Sequence, residues 1–423
     1  MRSSLSTAVA LHIGGALAAS SSLYHYMPVE FAYGADSRVT ADIVFGTAPS
    51  AKPVRVVMDS GSPSFWIWAP NATINFGSPY LGATGPCNAK VPVNYDPAQS
   101  STSSLVNRSS NYFYASNSKI VYGVQFANDT IAGVGGSGPI PNVQFALENS
   151  ALLKGASPTC EVPEYDLGIV GLSHYDKEKT GSSGSPSFRQ NLFESGRIAS
   201  KTMFMWFDKH LGALGDLNGG VLFGAIDESK FTGPLVEVAN VIPEYQIAVH
   251  VAKPNITFNG RTFAPDDDVR CLVDSGAHAD SIPFLFGGPA EKEFFAAADG
   301  LLVDYAGIVA YNGTCESIPQ SLNLTYTFAG VRAGKSVDIS IPLRNFARGL
   351  AYPDTTGLCL LNLGTGGCTL GAPFQSAAAI LNDDEGDRVA FAQAAVCEEH
   401  KGVNADAVVV LNEAEALAFW DTL

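Results

Sequence analysis

Residues 56–68 read Val-Val-Met-Asp-Ser-Gly-Ser-Pro-Ser-Phe-Trp-Ile-Trp. An apolar, β-branched run ends in a carboxylate, Asp59; a Ser-Gly pair turns the chain, and aromatic side chains follow at once. An acid in such surroundings is costly unless something pairs with it or uses it. A turn or a cap accounts for a lone Asp-Ser-Gly, so the reading depends on a partner elsewhere. Residues 271–278, Cys-Leu-Val-Asp-Ser-Gly-Ala-His, supply one: a second apolar strand runs into Asp-Ser-Gly at Asp274. The two acids lie 274 − 59 = 215 residues apart, about half of the 423-residue chain. Each is followed about a hundred residues later by an apolar pair closed by Gly, Gly168-Ile-Val-Gly-Leu172 and Thr369-Leu-Gly371. The plan is a duplication and not a tandem array. Two similar halves, each ending a strand in an Asp on a tight turn, can bring both acids to a pseudo-twofold axis.

The length suits two or three domains or one large two-lobed unit. A composition 46% hydrophobic and 16% charged lies outside the disordered range and supplies a sizeable core. With 42 Gly and 24 Pro among clusters of Val, Ile, Thr and Phe, turns are many and strands outweigh helices. The net charge of −16, with no strongly basic block, argues against nucleic-acid binding and reads as solubility. Residues 1–19 carry Arg2, an apolar stretch and Ala16-Leu-Ala18, the pattern of a secretory signal too short for a membrane span. No later run approaches a span, and Glu413, Glu415 and Asp421 in the apolar C-terminal tail argue against a lipid-anchor signal. Six N-glycosylation sequons begin at Asn71, Asn107, Asn128, Asn255, Asn312 and Asn323, which with the signal point to an extracellular or vacuolar protein. Seven cysteines fit two or three disulfides and a leftover thiol. Cys87 and Cys160 can pair within the first half; Cys271 and Cys368, in apolar strands, read as buried thiols. No Cys-x-x-Cys or His-x-x-x-His spacing is present, so neither metal nor cofactor is expected.

On these motifs the chain resembles the pepsin-like aspartic endopeptidases. The matches run in family order from about residue 38 to about 395. They are Asp59-Ser-Gly-Ser62 with Trp66, Tyr122-Gly123, Asp166-Leu-Gly-Ile-Val-Gly-Leu, Asn191-Leu-Phe-Glu-Ser-Gly, Gly220-Val-Leu-Phe-Gly-Ala-Ile-Asp227, Phe231-Thr-Gly-Pro, Asp274-Ser-Gly276 and Leu370-Gly371 with Phe374. The resemblance implies an all-β, bilobal, monomeric protein. Its N-terminal lobe would span residues 20–230 and its C-terminal lobe 231–397, with a tail over 398–423. It implies an extended peptide or protein substrate, sensitivity to pepstatin-type inhibitors, and a Cys315–Cys359 disulfide. Asp59 and Asp274 would be the dyad, and Ser60 and Ser275 would bond across to the opposite loop. Gly61 and Gly276 let main-chain N–H groups face the carboxylates, Ser62 would donate to Asp59, and Tyr122 would close over substrate as the flap tyrosine, bonding towards Trp66.

Peptide hydrolysis without a covalent intermediate needs an activated water and a polarised carbonyl. Two close carboxylates cannot both be charged, so they share a proton, one serving as base and the other as acid. Three departures from the family pattern stand out. Ala277, where Asp59's half has Ser62, cannot donate a hydroxyl, which predicts a somewhat less acidic dyad. The flap diverges beyond Gly123. Barely twenty residues separate the expected cleavage site from the strand-like Val39–Phe45, fewer than the usual pro-segment, so zymogen control is not assumed. His278 reads as a rim residue. A catalytically inactive pepsin-like binding or inhibitor protein is the alternative, disfavoured because both acids and Tyr122 are kept; a two-carboxylate glycosidase would not explain the duplication.

Overall fold

A computed structural model describes residues 23–395 and 402–423, apart from 35–36, 78–86, 93–94, 116–117, 155–159, 162–166, 175–186, 209–214, 244–246, 266–269, 306 and 350–356. The expected signal, Asp166, most of the Lys177–Ser187 loop and Cys397 lie outside the described residues.

The chain is mostly strand, as the pepsin-like all-β fold requires. Six antiparallel strands join the halves, in the order Phe231–Val238, Arg388–Ala394, Ala378–Asp383, Thr202–Phe207, Leu217–Phe223 and His25–Ala32. Each half supplies three, and the seam runs between Thr202–Phe207 and Ala378–Asp383 with Met203 opposite Asn382 and Met205 opposite Ile380. The stretch read as a first strand, 25–32, pairs with Leu217–Phe223. From it the sheet continues into the first lobe through Arg38–Phe45, Pro53–Asp59, Gly168–Gly171, Phe65–Gly77, Ile140–Lys154 and Lys119–Gly133. The second lobe carries a seven-stranded and a four-stranded sheet of its own.

Strand alternation sorts side chains into separate cores. Met203, Met205 and Phe207 enter the first-lobe core with Met27, Val29 and Phe31. Their neighbours Phe204 and Trp206 point to the opposite face of the same strand, against Leu222, Leu381 and Trp420. The C-terminal residues cover that second face. Val408–Val410 pairs antiparallel with Ala225–Asp227, and the helix Glu413–Trp420 buries Trp420 completely. Asn412 caps this helix by accepting from the Glu415 N–H at 2.9 Å. Residues 402–423, read as part of a tail, are therefore an integral layer.

Among the described residues three disulfides form: Cys87–Cys160, Cys315–Cys359 and Cys271–Cys368. The last corrects the reading of Cys271 and Cys368 as thiols. Their strands are neighbours, Leu272 pairing with Thr369, which brings the two Cα atoms to 4.4 Å.

Candidate active site

Asp59 ends the strand Pro53–Asp59, and Gly168–Gly171 runs parallel beside it with Gly171 opposite Asp59. The Leu172 N–H then donates to the Asp59 carbonyl at 2.8 Å, and Ser173 N–H to the Ser62 carbonyl at 3.2 Å. A Cβ on Gly171 would overlap the Pro63 backbone, so this approach admits only glycine. The second half repeats the plan. Thr369–Leu370 runs parallel to Arg270–Val273, and Asp274 N–H donates to the Leu370 carbonyl at 3.0 Å. A Cβ on Gly371 would stand 2.5 Å from the Ala279 carbonyl oxygen.

The two Asp-Ser-Gly turns meet face to face. Ser60 N–H donates to Ser275 Oγ and Ser275 N–H to Ser60 Oγ, both at 2.9 Å. Ser60 Oγ donates on to the Val273 carbonyl at 3.0 Å and Ser275 Oγ to the Met58 carbonyl at 2.5 Å. Four crossed bonds thus tie together loops 215 residues apart. Gly61 lies against the Asp274 carboxyl, and a Cβ on Gly276 would come within 2.6 Å of Asp59 Oδ1. Both glycines are needed for the carboxyls to approach.

Each loop's glycine lies against the other loop's carboxyl, which sets the two acids side by side, and their supports differ. Asp59, buried, accepts from Gly61 N–H at 2.8 Å and from Ser62 Oγ at 2.6 Å. Asp274 accepts from Gly276 N–H at 2.9 Å and Ala277 N–H at 3.1 Å, a main-chain donor where the first half has a hydroxyl. Burial raises Asp59, opposed by Ser62, Asp274, Gly61 and the field of Arg38. Burial raises Asp274 much further, reinforced by the negative charge of Asp59. The pair titrates as a unit that puts its first charge on Asp59 and keeps its proton on Asp274.

One expected contact is replaced. Trp66 Nε1 donates to Tyr114 Oη at 2.7 Å, and Tyr122 is not its partner. The hairpin pairs Ser110–Tyr114 with Lys119–Gly133, and Ala115, at φ 45°, begins the turn directly after Tyr114. Tyr122 lies well down the return strand, opposite Asn111, with its ring 42% exposed. Tyr114 stands within the field of Asp59, which together with burial pushes its hydroxyl well above the usual range. The Tyr-Gly dipeptide misdirected the sequence reading. A Tyr ahead of the small, polar Ala115–Ser118 turn was the better signal. Gly123 has a different part: it sits in a bulge where a Cβ would meet the Leu147 carbonyl and Ser110 Oγ, each at 2.5 Å.

Asp280 escaped the sequence reading as a lone acid outside any motif. It is buried, raised well above the usual carboxylate range by that burial, and accepts from Gly371 N–H at 2.8 Å and Phe374 N–H at 3.3 Å. It thereby holds the Gly371 turn against the Asp274 loop. His278 is exposed. Among the described residues no cluster of His, Cys, Asp and Glu could hold a metal ion, and no helix is long and apolar enough to cross a membrane. Of the sequons, Asn71, Asn107, Asn255 and Asn312 are exposed, whereas Asn128 and Asn323 are half-buried. The Asn128 side chain accepts from Gln144 Nε2 at 2.9 Å, and Asn312 Nδ2 donates to the Gly300 carbonyl at 2.9 Å.

Residues 40–394 match the family model of the eukaryotic aspartyl proteases. The chain belongs to that family. Among curated aspartyl proteases it is 24% identical over 371 residues to "Probable aspartic-type endopeptidase opsB" of Aspergillus fumigatus, covering 85% of this chain and 69% of the relative. It is 26% identical over 313 residues to "Secreted aspartic protease 6" of Candida albicans, covering 74% and 65%. It is 25% identical over 271 residues to "Gastricsin" of Callithrix jacchus, covering 61% and 64%. For the homologous protein of Aspergillus oryzae the match spans 54% of the relative's length.

Proposed function

We propose that this aspartyl protease family member is a secreted endopeptidase that hydrolyses extended peptides with a water activated between Asp59 and Asp274. The observation carrying this reading is the close approach of the two carboxyls inside a crossed serine lattice. Asp59, charged and braced by Ser62 and Gly61, takes a proton from the water as it attacks the scissile carbonyl. Asp274 donates its proton to the carbonyl oxygen; as the tetrahedral carbon collapses, Asp59 passes the proton it took from the water to the leaving amine and Asp274 takes one back from the gem-diol hydroxyl. The two carboxyls are never charged at once, because one proton stays on the pair throughout.

Tyr114 closes the flap over the bound peptide, held by Trp66, so that the reacting water is the one retained. Pepstatin-type molecules, which place a hydroxyl where that water stands, are the inhibitors this geometry favours. The relatives' names, aspartic-type endopeptidase and secreted aspartic protease, support the same activity and an extracellular location. Exposed Asn71, Asn107 and Asn255 are the sequons best placed to carry glycans. The test is cleavage of a peptide library between pH 3 and 7 with and without pepstatin. Activity in wild type, its loss in Asp59→Asn and in Asp274→Asn, and inhibition by pepstatin are expected. Hydrolysis that survives Asp59→Asn would overturn the mechanism.

A further inference from the structure

Glu148 has no part in the dyad, yet it is completely buried at the base of the flap. It lies on the strand Ile140–Lys154, with Gly123 of the flap's return strand opposite on one side and Trp68 on the other. Its Oε1 accepts from Ser110 Oγ at 2.5 Å, and Ser110, also buried, is the first residue of the outgoing flap strand Ser110–Tyr114. Its Oε2 is buried without a partner. The return strand bulges at Gly123, where only a glycine leaves room for Ser110 and the Leu147 carbonyl. One acid therefore touches the hairpin where it can pivot.

Among the described residues no cation faces this carboxyl. Ser110 and Tyr112 turn towards the core from the outgoing strand, Gly123 meets it from the return strand while the Tyr122 ring is exposed, and Trp68 is neutral. Lys119, the hairpin's own cation, stands over the Trp66 and Tyr114 rings. Arg108 lies over the Phe126 ring and donates to Gln144. A protonated Glu148 suits this apolar enclosure; a charged one leaves Oε2 with no donor.

We propose that Glu148 is a positioning residue of the flap, bracing the hairpin base through Ser110 while protonated and releasing it when the proton is lost. The inference rests on the protease reading for its consequence, since a released flap no longer holds Tyr114 over the dyad. Burial pushes the carboxyl from 4.5 to about 7, opposed by the Ser110 hydroxyl. In an opened hairpin it would titrate near its ordinary value, so the closed form is favoured below that value and progressively lost as pH rises. The opening equilibrium should climb about tenfold per pH unit between roughly 4.5 and 7.

The experiment is hydrogen exchange by mass spectrometry on the full chain from pH 5 to 7, corrected for intrinsic rates, following the peptide that spans residues 110–124. Protection in wild type should fall about fortyfold, while Glu148→Gln, neutral at every pH, stays flat within about threefold. Parallel behaviour of the two proteins, whether both fall or both stay flat, overturns the proposal. Should Glu148→Gln not fold, Ser110→Ala decides. Removing the hydroxyl that favours the charged form should move the wild-type transition to higher pH, and an unmoved transition overturns the proposal. Exchange needs no turnover, so a chain that fails to cleave peptides would refute the function without touching this result, and a pH-independent flap would do the reverse.

Discussion

Asp59 and Asp274 occupy equivalent turns but unequal surroundings, and the inequality sits at one side chain. Ser62 offers Asp59 a hydroxyl at 2.6 Å, whereas Ala277 offers Asp274 only its main-chain N–H at 3.1 Å. A hydrogen bond to a carboxylate favours its charged form by about 1.5–3 kcal/mol. Ala277→Ser should therefore shift the alkaline limb of the kcat/KM profile, which reports loss of the proton held on Asp274, about one pH unit lower, and an unmoved limb would contradict this account. The aromatic exchange is testable in the same way. Tyr114→Phe deprives Trp66 Nε1 of its acceptor beside the dyad and should lower kcat/KM about tenfold. Tyr122→Phe, altering an exposed ring opposite Asn111, should leave kcat/KM within about twofold. Steady-state kinetics on the two variants separates the alternatives: equal losses would give Tyr122 a share in Tyr114's part.

At the scale of elements, two devices support the site from behind. The Cys271–Cys368 bridge joins the strand that leads into Asp274 to the segment that leads into Gly371, closing 97 residues of chain. Replacing both cysteines by Ala should cost about 2–4 kcal/mol in urea unfolding, through the freedom regained by the unfolded chain. The C-terminal layer is the other device. Trp420 is buried against the face of the six-stranded sheet opposite Met203 and Met205, and Arg388 stacks 4.9 Å over its ring. Trp420→Ala should destabilise by about 3–5 kcal/mol while leaving kcat/KM nearly unchanged, because that face does not meet the dyad. A variant that unfolds normally but loses activity would place this layer in the catalytic machinery.

For the whole molecule, burial of ionisable groups sets the pH range. Asp59, Asp274 and Asp280 are raised above the ordinary carboxylate range, Asp384 to about 6 and Glu148 to about 7, each chiefly by burial. Their contribution is complete below the ordinary value near 4 and is lost as pH rises through the raised values. Buried His25, lowered to about 4, and His250, also lowered, act oppositely: their contribution is present above 6.5 and lost as pH falls. Acids outnumber histidines, so calorimetry should give a higher Tm at pH 5 than at pH 8; the reverse order would refute the balance. The duplicated Asp-Ser-Gly turns and the apolar segments closed by Gly171 and Gly371 are legible in the linear chain, because strands alternate and tight turns demand particular residues within a few positions. The strand-rich class follows from the same local patterns. Tyr114 over Tyr122 beside Trp66, the pairing of Cys271 with Cys368, the burial of Glu148 against Ser110 and the docking of Trp420 are not legible there. Each joins segments 38 or more residues apart, and which distant groups meet depends on strand register and on the sharing of one sheet by two halves.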